Sequence, residues 1–272
     1  MTRRELVDTL RAIGSDEAES EARIILEELF SVSYSMQFLE TERDYSSDEL
    51  SELVSKRAKR IPLQYILGYA YFCSEKYMLC DDCLIPRADT ELLVEKAAKL
   101  LPCSAEFADL CTGSGCIAIS LLCARPDTRA TAIDISEGAV KMAIENAKLN
   151  KVIDRIDAGI ADIFCGCLAD RVCDAIISNP PYIPTEVISG LSPEVQHEPV
   201  RALDGGADGM DFYRFILKNY QKNLKADGFF AFEIGYDQKQ SITELAISLD
   251  MKCEVLYDLG GNPRVAIIKR EA

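Results

Sequence analysis

The chain has 272 residues, 48% of them hydrophobic, with 15 glycines and 10 prolines. That is ordinary globular composition, with room for one large domain and a small one. Its net charge of −15 comes from 45 acidic and 30 basic side chains, and it disfavours a nucleic-acid partner, which usually requires a basic stripe. No apolar run reaches membrane length and no leader pattern opens the chain, so a cytoplasmic protein with reduced thiols and no membrane partner is expected.

Residues up to about Arg60 read as short amphipathic helices. Leu6, Leu10 and Ile13 share one face, and Ile24, Ile25, Leu29 and Val32 make another. Ser46 and Glu49 have the spacing of a capping box ahead of Leu50, Leu53 and Val54. The one basic cluster, Lys56-Arg57-Ala58-Lys59-Arg60, reads as a solvated last helical turn favoured by the macrodipole. Tyr69 to Cys73 and Lys76 to Cys80 then read as two short strands of a hairpin. After Ile85-Pro86-Arg87, Asp89 or Thr90 is expected to cap a helix carrying Leu92, Leu93, Ala97 and Leu100.

From Glu106 onward strands and helices alternate. Strands are expected at Phe107–Cys111, Arg129–Ile133, Ala158–Ala161, Asp174–Ser178 and Phe229–Ile234. Helices are expected at Cys116–Ala124, Glu137–Leu149, Phe212–Leu224 and Gln238–Leu249. This alternation implies right-handed crossovers and a largely parallel sheet covered on both faces. Cys253–Tyr257 and Val265–Ile268 are joined by Asp258 to Pro263. That link is too short for a helical crossover, so the two should pair antiparallel.

The eleven cysteines sit mostly in apolar runs, where a free thiol acts as a small hydrophobe. Cys80 with Cys83 and Cys165 with Cys167 fall in different expected domains, remote from the lone His197. Zinc spacing is not met, and no metal is expected.

Two motifs carry chemistry. Asp109-Leu110-Cys111-Thr112-Gly113-Ser114-Gly115 lies where the first strand of the alternating region turns into its helix. Its glycines permit a tight turn and a close ligand. Asp134 ends the next strand, where a carboxylate can bind the two ribose hydroxyls of an adenosine ligand. The turn lacks a phosphate-loop lysine, and Asp109 beside the glycines suits a cationic cofactor such as S-adenosylmethionine better than a pyrophosphate. Asp162, after the third strand, is either an adenine-side contact or a turn residue.

The second motif, Asn179-Pro180-Pro181-Tyr182, follows the buried run Ala175-Ile176-Ile177-Ser178. Two prolines cannot continue a central strand, so they hold Asn179 at the sheet's C-terminal edge. The Asn179 side-chain oxygen and the Pro180 carbonyl offer two acceptors for an –NH2 group, and Tyr182 offers a flat face beside it. Such a pocket suits a planar amide or amino group.

These two motifs, with Pro62 to Gly68, Ile85 to Glu91 and Ala202 to Gly209, resemble the HemK/PrmC family over nearly the whole chain. These are the release-factor glutamine methyltransferases, class I enzymes dependent on S-adenosylmethionine. The resemblance implies a Rossmann-like seven-stranded α/β domain with its last strand antiparallel. It also implies a small N-terminal helical domain that helps receive the release factor. Residues 1–68 would be that recognition domain, 69–86 a β-hairpin connector and 87–272 the catalytic domain. The expected reaction methylates the glutamine of a Gly-Gly-Gln motif on its side-chain nitrogen and leaves S-adenosylhomocysteine.

Candidate cofactor contacts are Asp109, Thr112, Gly113, Gly115, Asp134, Ile135, Asp162, Ile163 and Asn179. Candidate catalytic residues are Asn179, Pro180 and Tyr182. Pro181, Phe72 (or Tyr71), Arg87 and Glu198 join them as candidate substrate contacts, Arg87 serving equally as a salt-bridge partner at the helix start. His197 is given no catalytic part. Cys111 stands where the family usually has glycine, and Ala88 and Asp89 stand where it commonly has Pro and Glu. A methyltransferase of adenine amino groups and a non-catalytic adenosine-binding module are the rival readings. Residues 1–85 hold 17 acidic and 10 basic side chains, which makes a poor DNA clamp. No heptad seam is present, and a monomer is expected.

Overall fold

The computed structural model describes residues 1–271. By its contacts the chain divides into two compact units. One comprises Met1–Leu67 with Ser192–His197, and the other Gly68–Leu191 with the chain from Glu198 onward.

The smaller unit contains α1 (Arg3–Ala12), α2 (Ala18–Phe30), α3 (Tyr34–Leu39), α4 (Asp48–Ala58) and α5 (Leu63–Leu67). Leu6, Leu10, Ala22, Ile25, Leu26, Leu53 and Leu63 close on one another as its core. The capping box belongs to α1, where Thr2 and Glu5 bond each other's backbone. The expected pair at Ser46 does not form. Ser47 caps α4 through Leu50 N, while Ser46 bonds Asp44. The basic cluster closes α4 as expected, with Lys56 and Lys59 solvated, but its arginines are not. Arg57 is 1% exposed and grips both carboxylate oxygens of Glu21 at 2.9 and 3.0 Å. It also donates to the Ile61 carbonyl at 2.7 Å. Arg60 binds both oxygens of Glu194 at 2.6 Å, and His197 Nε2 meets the Lys59 carbonyl.

The larger unit opens with a hairpin, β1 (Tyr69–Phe72) and β2 (Glu75–Met78). Its two-residue turn puts Cys73 and Ser74 at positive φ, the twist that a tight hairpin needs. Then follow α6 (Ala88–Leu100), β3 (Glu106–Leu110), α7 (Cys116–Ala124), β4 (Arg129–Asp134), α8 (Glu137–Leu149), β5 (Ile156–Ile160) and β6 (Cys173–Ser178). The chain ends with α9 (Asp211–Asn219), β7 (Leu224–Glu233), α10 (Lys239–Ile247), β8 (Met251–Tyr257) and β9 (Pro263–Arg270).

The seven strands lie in the order β5-β4-β3-β6-β7-β9-β8. Pairs from β5 through β7 are parallel, and β9 runs antiparallel between β7 and β8. Alternation along the strands feeds two cores. In β6, Ala175 and Ile177 join Leu93, Ile117 and Leu121 on one face. Cys173 and Ile176 join Tyr213, Ile216 and Ile242 on the other. Strand order reverses between β3 and β6, so the loop after β3 and the turn after β6 leave the same edge side by side. A topological switch of this kind is where open α/β sheets bind ligands.

Candidate active site

The floor of the site is the β3–α7 turn. Asp109, wholly buried, accepts from Thr112 Oγ1 at 2.6 Å and from Ala118 N at 3.2 Å through Oδ2. Its Oδ1 is buried with no partner. Burial pushes this carboxyl up to about 7, against the pull of those two donors. Cys111, Gly113 and Gly115 all adopt positive φ. Asp134, at the end of β4, accepts from Gly113 N and from Ser136 N, each at 2.9 Å, and so ties the turn to the neighbouring strand. Burial raises its carboxyl too, while the Ser136 and Gly113 amides oppose the shift.

The wall beyond β5 is Asp162-Ile163-Phe164. Asp162 caps a short 3-10 turn through Phe164 N at 2.9 Å. The Phe164 ring stands edge-on to Phe212 and Phe215, with centroids 5.1 and 4.8 Å away.

On the other side of the switch, Asn179 ends the buried strand β6. Its Nδ2 donates to Thr90 Oγ1 at 3.3 Å, and no described residue donates to its Oδ1. Tyr182 OH donates to Glu233 Oε1 at 3.1 Å. Gly205 seats beneath this turn, where a Cβ would lie 2.7 Å from Tyr182 Cα and 2.8 Å from the Pro181 carbonyl oxygen.

A cavity of about 360 Å³ joins the two halves, within the usual range for small-molecule sites. Thr112, Gly113, Asp134, Ile135, Asp162, Ile163, Arg87, Asn179 and Pro181 line it. Six other expected site residues do not. Asp109 lies beneath the turn and acts by holding it. Pro180 is buried, and Tyr182 is anchored to Glu233.

Gly115 is a packing glycine rather than a ligand glycine. An added Cβ there would meet Ile119 Cδ1 at 2.9 Å and Ala143 Cβ at 3.1 Å. Phe72 cannot wall a substrate pocket, because it is 2% exposed and sits in the core against Tyr77. Its alternate, Tyr71, points outward and is exposed. Glu198 is not solvated and does not line the cavity. It is 3% exposed, accepts from Ile85 N at 3.1 Å and forms an ion pair with Arg87. Burial raises the Glu198 carboxyl, and Arg87 opposes that shift. Its part is to hold Arg87 at the rim.

Sequence reasoning missed Leu84, Phe164, Arg201 and Phe212 as lining residues, and Glu233 beneath the asparagine turn. A charged residue at the end of the apolar run Phe229 to Ile234 was the available signal for Glu233.

The helix start also differs from expectation. Arg87 occupies the N-cap of α6 without a side-chain bond. Thr90 lies inside the first turn and donates to Glu233 Oε2 at 2.5 Å instead of capping. Among the described residues, no group of three or more His, Cys, Asp or Glu is placed to hold a metal ion.

The cavity fits an adenosyl cofactor. Gly113 lines it with no atom within 4 Å of an added Cβ, leaving that backbone face open for a ligand. Asp134 stands at the strand end where ribose hydroxyls are bound. Sheet order, glycine turn and asparagine turn together define an S-adenosylmethionine-dependent methyltransferase of Rossmann-like fold. The family model described as PrmC N-terminal domain matches residues 2–68, and that described as Methyltransferase small domain matches residues 86–197.

The chain is 39% identical to a release factor glutamine methyltransferase of Thermodesulfovibrio yellowstonii, over 81% of each chain. It is 36% identical to one of Geobacter sulfurreducens, covering 89% of this chain and 87% of that one. The chain belongs to the release factor glutamine methyltransferase family. Among solved structures, ribosomal protein L11 methylase from Lactobacillus delbrueckii shares the fold. Its TM-score is 0.50 at 20% identity, over 68% of this chain and 81% of that one.

Proposed function

We propose that this protein methylates the side-chain amide nitrogen of the glutamine in the Gly-Gly-Gln motif of peptide chain release factors. The observation that carries the reading is one cavity shared by the open Gly113–Asp134 floor and the Asn179 carboxamide. The names of the similar enzymes above support the substrate.

When bound, S-adenosylmethionine supplies a methyl group on a sulfonium. Transfer breaks the carbon–sulfur bond, leaves its electron pair on sulfur and forms a carbon–nitrogen bond. Thr112, Gly113, Asp134, Ile135, Asp162 and Ile163 would hold this cofactor, with Asp109 fixing the turn beneath it. An amide nitrogen is a poor nucleophile because its lone pair is delocalised into the carbonyl, so positioning must do most of the work. Asn179 Oδ1 at the cavity wall accepts one N–H of the substrate, and the backbone carbonyl of Pro180, whose ring is buried, is the second acceptor. They aim its nitrogen and stabilise the positive charge that develops there. Tyr182 stiffens the turn from behind. The surplus proton passes to water after transfer, so no strong base is required.

The helical unit would help receive the release factor. No helix among the described residues is long and apolar enough to cross a membrane, and a cytoplasmic monomer fits this reading.

Incubation of the protein with S-adenosylmethionine and a release factor, followed by mass spectrometry, should find one added methyl on that glutamine. Methyl label in DNA and none in the release factor would refute the assignment. Asn179→Ala should lower turnover by about 100-fold or more while cofactor affinity stays within about threefold. Near-normal turnover would remove the acceptor role of Asn179.

A further inference from the structure

A carboxylate that touches neither cavity nor cofactor loop lies under the asparagine turn. Glu233 is the last residue of β7 and is 1% exposed. Its two oxygens serve different partners. Oε2 accepts from Thr90 Oγ1 at 2.5 Å, and Oε1 accepts from Tyr182 OH at 3.1 Å. Tyr213 OH bonds the backbone carbonyl of the same residue at 2.7 Å, fixing the strand end. Thr90 is itself 2% exposed.

The polarity of this chain of bonds follows from counting protons. A threonine hydroxyl has one proton and two lone pairs. With its proton committed to Glu233, Thr90 Oγ1 can only accept from its other neighbour. That neighbour is the Asn179 carboxamide, at 3.3 Å. It must therefore present its NH2 to Thr90, which leaves its oxygen as the end without a protein partner. A carboxamide has nearly the same shape either way round. Without a polarised partner it could sit with NH2 outward and offer a donor where the substrate needs an acceptor.

We infer that Glu233 is a positioning residue: acting through the Thr90 hydroxyl, it orients the Asn179 carboxamide so that the oxygen faces the substrate amide. The inference rests on the reading of Asn179 as an acceptor. Thr90, on α6, is the relay, and Tyr182 OH braces the other carboxylate oxygen, so one buried group steadies both ends of Asn179-Pro180-Pro181-Tyr182. Burial raises the Glu233 carboxyl, while the Thr90 and Tyr182 hydroxyls and Arg264 favour its ionised, acceptor-only form and Asp89 opposes it.

The test compares Thr90→Val, which keeps shape and loses the hydroxyl, with Thr90→Ser, which keeps the relay. Glu233→Gln and Asn179→Ala are measured alongside, with release factor and S-adenosylmethionine as substrates. Folding is checked by circular dichroism and cofactor affinity by calorimetry. A hydrogen bond to a charged group of this kind corresponds to a loss of about 10- to 100-fold in kcat for Thr90→Val and Glu233→Gln. Cofactor affinity should stay within about threefold, and Thr90→Ser should recover kcat to within about threefold of wild type.

A folded Thr90→Val protein with wild-type kcat, beside an inactive Asn179→Ala, overturns the relay and leaves the acceptor reading standing. A serine variant as slow as the valine variant also overturns it, because shape rather than the hydroxyl would then matter. An active Asn179→Ala protein refutes the acceptor reading itself.

Discussion

At the scale of single residues, the site separates groups that face the ligand from groups that hold them. Asp109 is of the second kind, and its burial has a measurable cost. Its folded carboxyl titrates at about 7, whereas an unfolded aspartate titrates at about 3.9. Between those values the folded protein binds the extra proton. Stability from this group is thus full below about pH 4 and is lost as pH rises through about 7. Asp109→Asn removes the titration. In cofactor-free protein, its melting temperature relative to wild type should rise between about pH 5 and pH 8. A difference that stays flat over that range would show that the buried carboxyl does not titrate there. Glu233 illustrates what a sequence cannot disclose. It stands out as a charge in an apolar strand, yet its partners Thr90 and Tyr182 lie 143 and 51 residues away.

At the scale of elements, alternation made most of the sheet readable. The helices at 116–124 and 137–149 fall at the expected residues, because their apolar period is unbroken and Ser136 caps the second. The paired final strands follow from the short link between them. Boundaries moved where local pattern and tertiary pairing compete. The strand at β7 begins at Leu224, inside the expected helix, because Cys173 on β6 pairs with it there. The two glycines after β3 look equivalent in sequence but differ in space. Gly113→Ala meets no neighbour. It should cost about 1 kcal/mol of stability, from its positive φ, and weaken cofactor binding by about tenfold or more. Gly115→Ala has the same backbone strain and also drives a methyl into Ile119 and Ala143, so about 2–4 kcal/mol should be lost. Urea unfolding and calorimetry of the two variants distinguish these effects, and equal stability losses would contradict the contrast.

At the scale of the molecule, the sequence revealed a helical region before an α/β region but gave no sign that Ser192–His197 folds with the former. Six residues far along the chain carry no periodicity that would betray their partners. The ion pairs of Arg57 and Arg60 with Glu194 become visible only in three dimensions. Arg57 is the centre of that cluster, with its side chain 2% exposed. Arg57→Ala leaves Glu21 without its buried partner and should destabilise the helical unit by about 3–5 kcal/mol. Hydrogen exchange over residues 1–67 should accelerate accordingly, and unchanged protection there would refute the assignment.

Because the backbone passes between the units after Leu67, after Leu191 and again after His197, no single cut separates them. A shortened protein beginning at Gly68 would still carry Glu194, stripped of both arginines, in the stretch between Asn179-Pro180-Pro181-Tyr182 and the Glu198–Arg87 clasp. Lost turnover in such a truncation would therefore not measure what the missing helices contribute to substrate capture. A fair comparison requires the six-residue excursion to be replaced by a neutral linker at the same time.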